Sequence, residues 1–316
     1  MRGNASNCAN VQQEACLELR ASNRIKAFMS TYEKLRKQHP CLSRAKGETG
    51  RIHLPVSPSC NLSCRYCKRC VDRTSERPGV SRGILPVEEV PRILERALSL
   101  CPEITTVGIA GPGDTLATSH ALDAFRLVSK THPQLLKCMS TNGLLLDEKA
   151  DEIAEVGVDT VTVTVNAVDP AIEAQINDRI YYHGEWIAGE EGARLLIQNQ
   201  LQGIRRLSER GVLVKVNLVL IPQINGGHIE ETARETAEAG ARICNLIPLI
   251  PQEKMADLAA PDCEELSRAR EEAGKYLDVF RHCQHCRADA VGRLGDTDLG
   301  GQLYGSLRVG ETFSHG

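Results

Sequence analysis

Four cysteines, Cys60, Cys64, Cys67 and Cys70, fall within the eleven residues CNLSCRYCKRC. Thiolates are soft ligands that suit zinc or iron–sulfur clusters. All four could close a zinc tetrahedron. Zinc ribbons, however, usually split their cysteines into two distant pairs, and four in one loop would be cramped. The first three, spaced C-x3-C-x2-C, suit a cubane better: three thiolates hold three irons and leave the fourth iron open. Further donors lie far away. HCQHC carries Cys283 and Cys286 as C-x2-C, HPC carries His39 and Cys41, and Cys138 stands two residues before Ser140 of STNG. Taken alone, that second C-x2-C reads equally as a zinc half-site or a redox pair.

Something must position these residues, and the pattern of the chain supplies it. RIHLPVS (51–57), TTVGIAG (105–111), LLKCMST (135–141), VDTVTVTVNAV (158–168), VLVKVNLVLIP (212–222) and ARICNLIPLI read as strands. The fourth, rich in β-branched residues, is the clearest. Amphipathic helix patterns alternate with them, including SHALDAFRLVSKTH with Ser119 as N-cap, a long one near 190–210 and a last one near 262–280. Six strand–helix units predict right-handed crossovers and a parallel sheet covered on both faces. Six are fewer than the eight of a closed barrel. The expected fold is therefore α/β, a partial (βα)6 barrel over 51–250. An extension over 1–50 carries HPC, a segment over 251–292 carries the second C-x2-C, and a glycine-rich tail over 293–316 is expected to be flexible. The two extensions must close over the barrel mouth if the scattered donors are to meet.

An open iron can chelate the amino and carboxylate groups of S-adenosylmethionine (SAM), and an electron from the cluster then cleaves the C–S bond to a 5′-deoxyadenosyl radical. The cysteine spacing after the first strand of such a barrel resembles the radical SAM superfamily. The later strand ends agree with the resemblance. GIAGPGD, with Gly111, Gly113 and Asp114, matches the segment that meets the methionine amino group. Ser140, Thr141 and Asn142 of STNG suit a ribose, as do Thr164 and Asn166 of TVTVNAVD. Ile221 of VLIPQIN occupies the place that flanks adenine. Each is weak alone; four at successive strand ends reinforce one another.

HPC, IHLPVSPSCNLSCRYC, ERPGVSR, GIAGPGD, CMSTNGLLL, TVTVNAVDP, LVKVNLVLIPQIN, NLIPLIP and HCQHCRADAVG, in this order across 39–292, resemble the NifB family of nitrogenase cofactor maturases. The stand-alone form, without a NifX-like domain, fits the length. The resemblance implies a [4Fe-4S] cluster that binds SAM and two auxiliary [4Fe-4S] clusters. It implies a lyase-type maturase that fuses two cubanes with a SAM-derived carbide and an added sulfur into an [8Fe-9S-C] precursor. The auxiliary ligands would be His39, Cys41, Cys70, Cys138, Cys283 and Cys286, three per cluster. Implied partners are reduced ferredoxin or flavodoxin as electron donor, iron–sulfur delivery proteins and a downstream scaffold or carrier protein. Two other functions remain open: a radical SAM enzyme with auxiliary clusters acting on an organic or peptide substrate, and a non-catalytic iron–sulfur carrier. One departure stands out. Family members place the extra cysteine nearer ERPGV, whereas here Cys70 follows Cys67 by three residues, and SRAKGETG stands where many members have histidines after HPC.

The remaining residues narrow the class. The chain has 316 residues and a formal charge of −3, so nothing points globally to nucleic acid. No run approaches a membrane span and residues 1–30 lack a secretory apolar core, so a cytoplasmic location is expected. Of thirteen cysteines, Cys8, Cys16, Cys101, Cys244 and Cys263 are expected to carry no metal. His53 reads as a core histidine within the first strand. Arg65, Lys68, Arg69, Arg73, Arg77 and Arg82 crowd the cysteine loop, either balancing anionic clusters or forming a solvated face. YYHGEW (181–186) reads equally as a lid or as packing against the rim.

Overall fold

The structure, a computed structural model, describes residues 32–33, 35–42, 48–68, 70–73, 77–296 and 298–307. Cys8, Cys16, Arg69 and most of the leader lie outside them. Six strands form the parallel body: β1 (Gly50–His53), β3 (Ile104–Ile109), β4 (Leu136–Thr141), β5 (Thr160–Thr164), β8 (Leu213–Leu220) and β9 (Ile243–Pro248). They lie side by side in chain order, as successive crossover units require. Two short strands extend the edges. β10 (Asp278–Val279) runs parallel to β9, and β11 (Val291–Arg293) runs antiparallel to β1. The sheet is therefore mostly parallel and open.

Helices cover the outer face because their apolar residues recur at helical spacing. In α1 (Val90–Leu100), Val90, Ile93, Leu94 and Ala97 are buried, an i, i+3, i+4, i+7 stripe. α2 (His120–Thr131), α3 (Leu146–Glu155), α4 (Pro170–Ile176), α5 (Gly189–Glu209), α6 (Pro222–Asn225) and α7 (Ile229–Ala239) follow successive strands. α7 ends at Gly240, whose φ of 115° suits a residue without a side chain. α5 crosses α3 closely at Gly203, where a Cβ would lie 2.6 Å from Leu146.

Several local details differ from the sequence pattern. The first strand stops at His53, and residues 54–59 run on toward the cysteines. Ser119 occupies the N-cap position but makes no side-chain cap bond. The last long helix, α8 (Cys263–Gly274), ends before the expected 280, and β10 takes the remaining residues. YYHGEW forms a hairpin, β6 (Asn177–Tyr182) and β7 (Glu185–Ala188), turning at His183 and Gly184 with φ of 48° and 92°. β2 (Leu62–Cys64), inside the cysteine loop, pairs with β6 and makes a separate three-stranded sheet. The glycine-rich stretch after Cys286 is packed as far as residue 307. β11 pairs with β1, and α9 (Gly300–Tyr304) buries Tyr304 completely. Composition suggested mobility there; a buried aromatic and strand pairing outweigh it.

Candidate functional site

Two adjoining cavities open at the carboxyl ends of the strands. The smaller is lined by Cys60, Cys64, Cys67, Leu62, Tyr66, Asn142, Thr164, Asn166 and Asn177. Its cysteine loop is seated by backbone bonds: Gly113 N–H donates to Ser57 O and Asp114 N–H to Ser59 O, both 2.8 Å, and Arg65 N–H donates to Ile176 O at 2.9 Å. Gly113 permits this approach, because a Cβ there would sit 2.1 Å from Ser59 O. The Arg65 guanidinium pairs with Asp178 at 2.8 Å, which fixes the turn between Cys64 and Cys67 against β6.

The strand-end residues divide by role. Asn142 and Asn166 line the smaller cavity, Ser140 and Thr141 the larger, and Thr164 both. Asn142 donates to Asn61 Oδ1 at 2.7 Å and approaches Cys60 Sγ at 3.9 Å. Asn166 donates to Tyr66 Oη at 3.3 Å and accepts from Val219 N–H at 3.0 Å. Gly111, Gly113, Asp114 and Ile221 line neither cavity. Asp114 is a buried brace: its carboxylate accepts from Thr141 Oγ1 at 2.9 Å, from Asn142 N–H, and from Leu116 N–H at 2.9 Å. Ile221 N–H donates to Asn225 Oδ1 at 2.8 Å.

The larger cavity, about 270 Å³, brings together His39, Cys41, Cys138, Cys283 and Cys286 from three separate segments. It also meets Cys67, Tyr66 and Thr164, so the two cavities share a wall. Cys70 is half-buried and lines neither. His39 Nδ1 accepts from Cys41 N–H at 3.2 Å, and its buried Nε2 has no partner among the described residues. Arg51 Nη2 donates to Cys286 Sγ at 3.3 Å and Nη1 to Gly292 O at 2.6 Å. Lys215 faces the same space, its ammonium 5.1 Å from the Phe280 ring centre.

Burial sets the protonation of these groups. It pushes the Cys41 thiol up to about 12 and raises Cys138. It lowers His39 to about 3 and His53 to about 4, so both imidazoles are neutral at pH 7; the nearby charge of Lys215 adds to the effect at His39, and Arg51 at His53. Neutral imidazoles and buried thiols become good ligands once a cation displaces the thiol protons. The donor set is soft, and Arg51 and Lys215 make no ion pair with a carboxylate among the described residues. Both properties fit an anionic iron–sulfur cluster. Among the described residues no three His, Cys, Asp or Glu side chains converge on one point.

The remaining basic residues of the loop are tied locally. Lys68 pairs with Glu253 at 3.7 Å, Arg82 with Asp289 at 3.1 Å and Arg77 with Gln252, while Arg73 donates to Leu307 O at 3.1 Å. Cys101 and Cys244 are buried away from the cavity lining and Cys263 is exposed. Lys215, Asn217 and Asn245 were passed over in the sequence. The available signal was VLVKVNLVL, whose alternation sets Leu213, Lys215, Asn217 and Val219 on one face of a buried strand.

The chain matches the family model described as radical SAM superfamily over residues 54–236. It is 45% identical over 274 residues to the FeMo cofactor biosynthesis protein NifB of Methanocaldococcus infernus, covering 86% of this chain and 90% of that one. The protein of the same name from Methanocaldococcus jannaschii is 43% identical, with 86% and 91% covered. The one from Klebsiella pneumoniae is 42% identical, with 82% and 57% covered. Among solved structures, Streptococcus suis SuiB superposes with a TM-score of 0.55 at 15% identity, over 81% of this chain and 54% of that one; its complex with S-adenosylmethionine gives 0.54 at 16%, over 80% and 54%. These last two likenesses concern the fold.

Proposed function

Because this chain belongs to the radical SAM superfamily and, within it, to the NifB family, we propose that it builds the [8Fe-9S-C] precursor of the nitrogenase cofactor from two [4Fe-4S] clusters, a SAM-derived carbon and an added sulfur. Its coarser role, a radical SAM enzyme of FeMo cofactor biosynthesis, follows from membership. The finer reading rests on one observation: a cavity with five soft or nitrogen donors shares Tyr66, Cys67 and Thr164 with the pocket of the three-cysteine loop.

In this reading Cys60, Cys64 and Cys67 hold the SAM cluster, which when bound supplies the electron that cleaves SAM to a 5′-deoxyadenosyl radical. Asn142, Thr164 and Asn166 orient the nucleoside. Asp114 acts at one remove, by fixing Thr141 and Asn142. The larger cavity holds the cluster substrates on His39, Cys41, Cys138, Cys283 and Cys286, with Arg51 and Lys215 balancing their charge. His39 Nε2 is a nitrogen donor that exchanges more readily than a thiolate and could release a cluster on fusion. Electrons come from a reduced ferredoxin or flavodoxin, cubanes from an iron–sulfur delivery protein, and the product leaves on a scaffold or carrier. A cytoplasmic site suits these exchanges; among the described residues no helix is long and apolar enough to cross a membrane.

The test is product analysis of the cluster-replete, reduced protein with SAM. Both 5′-deoxyadenosine and S-adenosylhomocysteine are expected, since one SAM gives a methyl and another a radical. 5′-Deoxyadenosine without S-adenosylhomocysteine would indicate an organic or peptide substrate; neither product would indicate a carrier.

A further inference from the structure

The donors of the larger cavity do not share one electrostatic environment. Arg51, on β1, is buried and makes no ion pair with a carboxylate among the described residues. Pairing with β11 sets it opposite Gly292, in the segment that follows Cys286. Its guanidinium is held at both tips of the fork: Nη1 donates to Gly292 O at 2.6 Å and Nη2 to Cys286 Sγ at 3.3 Å. A buried cation is costly unless an anion answers it, and the group this fork reaches is a thiolate-forming sulfur. A guanidinium does not give up its proton in proteins, so both the charge and the N–H stay fixed at that sulfur.

Cys138, on β4, is placed differently. Among the described residues its charged neighbours are of both signs: Asp159 disfavours the thiolate and Lys215 favours it. Asp159 is itself held in place, its carboxylate accepting from Lys137 N–H at 2.8 Å. At Cys41, by contrast, Lys215 and Arg51 both favour the thiolate. Lys215 therefore acts on both donors, whereas Arg51 acts on Cys41 and Cys286.

An N–H···S bond and a fixed positive charge each stabilise the more negative, reduced form of an iron–sulfur cluster, and so raise its reduction potential. With two clusters in one cavity, such a difference decides which takes an electron first. We propose that Arg51 makes the cluster bound through Cys286 the more easily reduced of the two auxiliary clusters, so that reduction in this cavity begins there. The step is a one-electron reduction of that cluster, and the electron comes from the same reduced ferredoxin or flavodoxin that serves the SAM cluster. The proposal rests on the reading that this cavity holds iron–sulfur clusters.

The test is an EPR-monitored redox titration of full-length protein with Cys60, Cys64 and Cys67 all changed to alanine, so that only auxiliary clusters load. Iron absent from this background would sink the cluster reading itself. With iron present, two reduction steps are expected, and Cys286→Ala should remove the higher one. Arg51→Met should move the higher step down toward the lower. Arg51→Lys, which keeps the charge but loses the fork, should move it part of the way, and it carries the test if the methionine variant sheds a cluster. ¹⁵N-arginine labelling reads the contact without touching Arg51: poised between the two steps, the parent should show a weak arginine nitrogen coupling by pulsed EPR. A single step in the parent, loss of the lower step in Cys286→Ala, or an unmoved higher step in the Arg51 variants overturns the proposal.

Discussion

The cysteine loop and the larger cavity hold similar donors but are built in opposite ways. In the loop, Cys60, Cys64 and Cys67 lie within eight residues and are held by a short strand, a few backbone bonds and one ion pair. In the cavity, the candidate donors come from the N-terminal extension, β4 and the segment after β10. A local set needs only its own loop to be right. A dispersed set needs both chain extensions to close on the barrel, so its geometry depends on long-range packing. The loop's geometry is thus set locally, and the cavity's by packing between distant segments.

The largest effect should come from the local set. Cys60→Ala should abolish 5′-deoxyadenosine formation, because a cubane short of one thiolate no longer presents a stable open iron. Iron bound to the larger cavity should remain. If that iron were lost as well, the two regions would be one cooperative site and the contrast would fail. The dispersed set should respond in parts. Cys286→Ala should lower auxiliary iron, to about half if the two clusters bind independently. Cys70→Ala should leave iron content unchanged; a fall there would place Cys70 in the donor set after all.

A pair of variants at Tyr304 tests how the dispersed set is assembled. Tyr304 fills a core position and its hydroxyl holds the end of β1. Tyr304→Ala should cost about 3–5 kcal/mol, the range for emptying a large buried aromatic site. Tyr304→Phe should cost only about 1 kcal/mol, the net worth of one hydrogen bond. Denaturant unfolding of the apo-protein reads both. If Tyr304→Ala cost no more than Tyr304→Phe, the segment after Cys286 would not be part of the fold's stability.

How much of this was legible beforehand follows the same division. The six parallel strands show as β-branched runs alternating with amphipathic helices, since a strand buried on both faces leaves a continuous apolar signature. The loop cysteines show because their spacing is local. Cys70 follows the triad closely in sequence, but the loop carries it away from the lining of both cavities, and nothing local announces that. That the His53 ring fills the space beside Gly108 on the neighbouring strand is visible only once the register is known. The tail over 293–316 looked mobile because its glycines hide one buried tyrosine, and nothing local says what Tyr304 meets.

The last contrast lies on the side of the cysteine loop and should set that region apart by its pH response. Glu173, on α4, is buried beside Asn177, which lines the smaller cavity and donates to its carboxyl. Burial pushes this carboxyl up to about 8, against the opposing pull of its hydrogen bonds to Ala167 and Asn177. The folded protein therefore holds a proton there that the unfolded chain releases near pH 4.5. Because the folded state binds more protons, this group's contribution to stability is fully present below pH 4.5 and is lost as pH rises through about 8. Within that window each pH unit costs at most about 1.4 kcal/mol. Glu173→Gln keeps the shape without the titration. The variant should melt at a temperature less sensitive to pH between 5 and 8 than the parent does, and the gap between them should widen toward the alkaline end. Equal pH slopes in the two proteins would mean that Glu173 ionises freely in the fold, and that the floor beneath the cysteine loop is wetter than its packing implies.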